Sequence, residues 1–131
     1  MKRPSKDEYY LDIAKAVMQR STCLRRKYGA VIVKDDEIIA TGYNGAPRGE
    51  LNCEECWREN HNIPHGERYE MCRSVHAEMN AIISAPRRDM IDAVLYLASD
   101  KPNAKPCDIC RRLIKNAGIK KVITREDHYD Y

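Results

Sequence analysis

The stretch "AVLYLASDKPNAKPCDICRRLIKNAGIKKVIT", residues 93–124, decides the fold. Residues 93–98 form a short apolar run bounded by turn-forming residues, the pattern of a buried strand. Cys110, Leu113, Ile114 and Ala117 then share one side of a helix, and Gly118 supplies its C-terminal stop. "KKVIT" at 120–124 reads as another strand. Strand, helix and strand in this order predict a parallel pair joined by a right-handed crossover.

Working outward, Ser5 and Glu8 form a capping box that starts a helix running to about Arg20. "GAVIVKDDEIIATGY" (29–43) reads as a hairpin with "KDDE" as its turn. "HAEMNAIISA" (76–85) is a helix ended by Pro86. The order α-β-β-α-β-α-β predicts an α/β protein, a mixed sheet flanked by helices, followed by a polar tail from Arg125. Residues 45–74 are left as a long loop rich in Cys, His, Glu and Arg, which needs something to hold it.

The bulk numbers restrict the function. A chain of 131 residues has the size of one domain, 1–131. No apolar run is long enough to cross a bilayer, and "MKRPSKDEYY" lacks the apolar core of a secretory signal. A cytoplasmic, reducing location is therefore expected. The net charge of +3 is too small to argue for nucleic acid. Six cysteines in a reducing compartment more often bind metal than form disulfides.

Their spacing carries the chemistry. "PCDIC" places Cys107 and Cys110 at the start of a helix, with both sulfurs on one side of its first turn. "CRSVHAEMNAI" (72–82) places His76 and Glu78 at the start of another. One imidazole and two thiolates make a three-ligand zinc site with a fourth position open for water, the catalytic rather than the structural type. Such zinc lowers the pKa of its water to about 7 and supplies hydroxide near neutral pH. Both helix dipoles would present their positive ends to the site. Glu78 would then sit beside that water as a proton shuttle without ligating the metal. His76 alone means little, and Asn80 stands where H-E-x-x-H would need its second histidine. C-x-x-C alone would also suit a redox pair. The combination H-x-E…P-C-x-x-C is the zinc-deaminase signature.

With these motifs in hand, "STCLRRKYGAVIV", "ATGYNGAPRG", "CRSVHAEMNAI" and "NAGIKKVI" together resemble the deoxycytidylate (dCMP) deaminase family over most of residues 21–124. The resemblance implies a three-layer cytidine-deaminase-like fold and hydrolysis of dCMP to dUMP and ammonia. It also implies a homo-oligomer, in this family a hexamer, under allosteric control by dCTP and dTTP. Carried onto this chain, it makes His76, Cys107 and Cys110 the zinc ligands and Glu78 the proton shuttle. The backbone N–H of Ala77 would meet the pyrimidine carbonyl, Asn44 would contact the nucleoside, and Arg25 would bind phosphate. Arg26, Lys27 and Arg48 would add positive field.

Four cysteines remain: Cys23, Cys53, Cys56 and Cys72. Four is the number a closed structural zinc site needs, and such a site would pin the long loop. His61 and His65 are rival ligands. The chain departs from the family pattern at "LYLASDKPNAKPC", where several residues are inserted before Cys107. That insertion keeps open the deamination of another cytosine nucleotide or modified base. A separate alternative is a zinc-stabilised nucleotide-binding module without turnover, which would have no use for Glu78.

Overall fold

The computed structural model describes residues 2–54, 56–64, 72 and 74–131. Helix α1 (Lys6–Met18) begins where expected, with the Ser5 side chain accepting from the Glu8 N–H at 3.2 Å. Strands β1 (Tyr28–Lys34) and β2 (Glu37–Tyr43) form an antiparallel hairpin. Its turn is Asp35–Asp36, both at positive φ (52° and 62°), a backbone region that aspartate tolerates in tight hairpins. One-turn helix α2 (Trp57–Asn60) and helix α3 (Ala77–Ile83) follow. After Pro86 the chain resumes in one-turn helix α4 (Arg87–Met90), which the reading of Pro86 as a stop did not include. Strand β3 (Val94–Ser99), helix α5 (Asp108–Ala117) and strand β4 (Lys121–Ile123) complete the unit read from 93–124. Strands β3 and β4 are parallel, as predicted. Helix α5 ends at Gly118, whose φ of 92° only glycine adopts without strain.

The polar tail contains one more strand, β5 (His128–Asp130), antiparallel to β4. The Thr124 side chain organises the intervening turn by accepting from the Asp127 N–H at 3.0 Å. Three residues in an acidic stretch are too short to show a strand period, which hid this element in the sequence. The sheet order is β2-β1-β3-β4-β5.

Strand alternation sorts the core into two layers, one on each face of the sheet. Ala30 and Ile32 of β1 join Leu95, Ala77, Ala81 and Ile114 on the face covered by α3 and α5. Val31 and Val33 join Tyr96 and Tyr10, Leu11 and Ala14 of α1 on the other. The architecture is thus a mixed five-stranded sheet between helices. Two glycines set how closely the helices approach. A Cβ at Gly29 would lie 2.1 Å from the Ala14 carbonyl oxygen of α1. A Cβ at Gly42 would lie 2.4 Å from the Ala77 carbonyl oxygen of α3. Gly42 therefore seats the N-terminus of α3, with His76 and Glu78, directly on β2. Among the described residues no helix is long and apolar enough to cross a membrane.

Candidate metal centre and active site

His76 is the N-cap of α3 and Cys107 the N-cap of α5, so both side chains stand at helix starts as the motifs predicted. Packing of both helices on one sheet face brings these starts together. His76 Nδ1 lies 3.2 Å from Cys110 Sγ and 3.5 Å from Cys107 Sγ. Zinc–nitrogen and zinc–sulfur bonds at a tetrahedral angle separate N from S by ~3.5 Å. The donor atoms of the three residues all lie within 4.8 Å of one another, and among the described residues no other such group gathers. The residues present therefore fit a zinc ion.

Cys110 is fully buried, and its backbone N–H donates to Cys107 Sγ. The Cys107 thiol is pulled down to about 4, first by the hydrogen bond from Cys110 and then, against the cost of burial, by the His76 ring. Cys110 is pushed up in turn, by its bond to Cys107, by burial and by the nearby Glu78 carboxylate. Without metal, one sulfur thus holds the proton for both.

Glu78 is buried, 5% exposed, in the first turn of α3. Burial raises its pKa first, and the Cys107 thiolate adds to that, while His76 opposes it. Its carboxyl contacts the Cys110 thiol. Ala77 is the first residue of α3, so its N–H belongs to the first-turn donors that intrahelical bonds leave free.

A pocket open to solvent lies beside these groups. His76, Glu78 and Cys107 share it with Asn44 and Arg25. Asn44 is buried, and its amide is largely engaged. Its oxygen accepts from Ser21 Oγ at 2.6 Å and the Tyr28 N–H at 2.8 Å, and its nitrogen donates to the Arg26 carbonyl at 2.9 Å. One amide hydrogen remains for a ligand. Arg25 donates through Nη2 to the Ile63 carbonyl at 2.8 Å, which ties the loop after α2 to the pocket wall.

Sequence reasoning missed Arg58, Ser74 and Lys105, which also line this pocket. Arg58 is buried in α2, donates to the Pro64 carbonyl at 3.3 Å and lies in the charge field of Cys72 and His76. A motif search had no reason to select it, since its approach depends on how the long loop folds back. Cys23 and Cys72 reach the pocket as well. Burial raises the Cys72 pKa first, and the proximity of Cys23 and Cys56 adds to it. Cys53 is half-buried, and these thiols do not close into a tight ligand set. His61 is exposed, and His65 lies outside the described residues.

A mixed sheet with helices on both faces, presenting a zinc-compatible triad beside a buried glutamate, defines the class of zinc-dependent deaminases. The chain belongs to the family described as the cytidine and deoxycytidylate deaminase zinc-binding region, which matches residues 4–126. It is 44% identical to a deoxycytidylate deaminase of Mycobacterium phage D29, over 94% of this chain and 96% of that protein. It is 40% identical to a deoxycytidylate deaminase of Schizosaccharomyces pombe, over 92% of this chain but only 37% of that longer protein. The crystal structure of dCMP deaminase from cyanophage S-TIM5, in complex with dCMP and dUMP, superposes with a TM-score of 0.69. That match is 29% identical and covers 95% of this chain and 83% of the other.

Proposed function

We propose that residues 1–131 act as one zinc-dependent deaminase domain that hydrolyses dCMP to dUMP and ammonia. The observation that carries this reading is the convergence of His76, Cys107 and Cys110 beside buried Glu78. The likeness to deoxycytidylate deaminases, one of them along nearly its whole length, supports the substrate.

When bound, zinc supplies a water that loses its proton near neutral pH. Glu78 takes that proton and delivers it to N3 of the cytosine ring, then moves the second proton of the same water from the new C4 hydroxyl to the departing amine. Its raised pKa suits a group that must hold a proton between these transfers. In the overall hydrolysis, the oxygen of water ends on C4 and the exocyclic amine on C4 leaves as ammonia. The Ala77 N–H meets the pyrimidine carbonyl, the remaining Asn44 amide hydrogen the sugar, and Arg25 the phosphate.

A second, structural zinc held by Cys23, Cys53, Cys56 and Cys72 is part of the proposal. Its support is the proximity of Cys23 and Cys56 to Cys72 and the burial of the Cys72 thiol. Metal analysis of purified protein should give about two zinc ions per chain for a four-cysteine site plus the catalytic one. A value near one removes the structural site and leaves the catalytic one standing.

Family resemblance supports a homo-oligomer, in the hexameric form, with dCTP and dTTP as effectors. Exposed Leu51 and Ile83 offer apolar surface that a second copy would cover. Metal-ligand spacing of the cysteines supports a cytoplasmic location.

Ammonia release tests the reading. The substrates are dCMP, CMP, deoxycytidine, dCTP and 5-substituted dCMPs, each with and without dCTP or dTTP. Fastest turnover of dCMP is expected. A preference for another nucleotide replaces the substrate, and binding without turnover across the panel replaces the enzyme with a nucleotide-binding module.

A further inference from the structure

Strand β3 does not run directly into the Pro106–Cys107 turn, and the intervening residues are fastened to the pocket's basic wall. The Asp100 carboxylate accepts from the Lys27 N–H at 3.1 Å, and the Asp100 N–H donates to the Lys27 carbonyl at 3.3 Å. Lys27 directly follows Arg25 and Arg26. Farther on, Asn103 adopts a left-handed backbone (φ 58°) and donates its N–H to the Glu126 carboxylate at 3.2 Å. Ala104 is half-buried and Pro106 buried. Lys105 stands between these anchored points, with its side chain on the pocket that holds Glu78 and Cys107.

Arg25, Arg26 and Ser74 line the same pocket, and each has one buried polar atom with no hydrogen-bond partner among the described residues: Nη1, Nε and Oγ. Buried donors of this kind are costly when unpaired, and the acceptor atoms of a ligand reaching these residues would satisfy them. Two guanidinium groups, a hydroxyl and a lysine ammonium together call for a compact anion with several oxygens. A phosphate offers acceptors in several directions, and a guanidinium pairs with two of them at once.

We propose that Lys105, with Arg26 Nε and Ser74 Oγ, closes the phosphate-binding end of this pocket, and that Lys105 is the residue that makes the site prefer nucleotides over nucleosides. This assignment rests on the deaminase reading above. The inserted segment then serves to deliver one more cation to the pocket that the arginines line. Arg26 and Ser74 contribute from a wall whose shape Asn44 already holds through the Arg26 carbonyl.

The test compares kcat/KM for dCMP with that for deoxycytidine in the zinc-loaded protein. Loss of one charged hydrogen bond to phosphate should lower this ratio about tenfold in Lys105→Gln, mainly through KM for dCMP. Ser74→Ala should lower it less, and Lys105→Arg should restore most of the preference. A ratio within about twofold of the parent in Lys105→Gln overturns the assignment, since charge-assisted bonds exceed that margin. A second readout does not depend on turnover. Inorganic phosphate should raise the melting temperature of the parent protein, and that rise should shrink in Lys105→Gln. No rise in the parent, or an equal rise in the variant, overturns the assignment as well. If the parent releases no ammonia from any substrate, the deaminase reading fails, and the phosphate measurement alone decides the role of Lys105.

Discussion

His76 and Cys110 stand 34 residues apart in the chain, yet Nδ1 of one lies 3.2 Å from Sγ of the other. Neither has a local reason to approach the other. They meet because α3 and α5 pack on the same face of the sheet with both helix starts at one edge. A first turn is where backbone N–H groups and positive dipole ends favour a thiolate and a developing negative charge.

Glu78→Gln should bind zinc as the parent does but release ammonia from dCMP about 10²- to 10⁴-fold more slowly, the range for loss of a general acid–base group. The substitution keeps size and burial, so metal content and melting temperature serve as controls. Deamination at the parent rate would remove Glu78 from the mechanism.

Zinc affinity should rise steeply with pH. Metal needs both sulfurs ionised. Cys107 is held low at about 4, but Cys110 is held high by its bond to Cys107, by burial and by Glu78. Binding must therefore expel the proton that Cys110 keeps. His76 must also be neutral to ligate, and although burial opposes it the Cys107 sulfur raises its pKa. Calorimetry at pH 7 in buffers of different ionisation enthalpy should therefore show between about one and two protons released per catalytic zinc. An affinity flat between pH 5.5 and 8 (roughly the working range for such titrations) would contradict this proton count.

Gly42→Ala should destabilise the protein by about 3 kcal/mol. The added Cβ would fall 2.4 Å from both the Ala77 carbonyl oxygen and the Ala81 nitrogen, which are helix backbone and cannot turn aside. The melting temperature should fall by on the order of 10 °C. Activity should fall further than the folded fraction, because α3 carries His76 and Glu78. Thr41→Ala, at an exposed position of the same strand, is the control. A normal melting temperature in Gly42→Ala would mean that α3 sits farther from β2.

Alkali should reveal the anchor between α1 and the hairpin turn. Tyr10 donates to Asp36, and this bond, with burial and the Asp36 charge, pushes the Tyr10 pKa up to about 12. A folded-state value above the ordinary one near 10 means a contribution intact below pH ~10 and lost as pH rises through ~12. Denaturation midpoints should thus fall more steeply across that window in the parent than in Tyr10→Phe. Equal slopes would show that the Tyr10–Asp36 bond carries no linked stability.

The metal triad and the glutamate were legible before any fold was known. Their spacing is tied to local structure: C-x-x-C at a helix start places two sulfurs on one side without help from the rest of the chain. The hairpin was equally plain, because "KDDE" interrupts two apolar runs. Strand β5 was not, since His128–Asp130 becomes a strand only by pairing with β4. Arg58 and Ser74 were hidden for a related reason. Nothing near them in sequence distinguishes them from surface residues, and only tertiary packing brings them to the pocket.

By itself the sequence determined α1, the β1–β2 hairpin, α3, β3, α5 and β4, and which side chains could hold metal, because helix starts, turns and strand periods are properties of a few adjacent residues. Tertiary structure alone decided which of the many arginines and lysines line the pocket. That choice depends on long-range packing: Gly42 seating α3, Asn44 bracing Arg26, and Asp100 tying the Lys105 segment to Lys27. Each of these contacts joins residues distant in the chain, so no local pattern announces it.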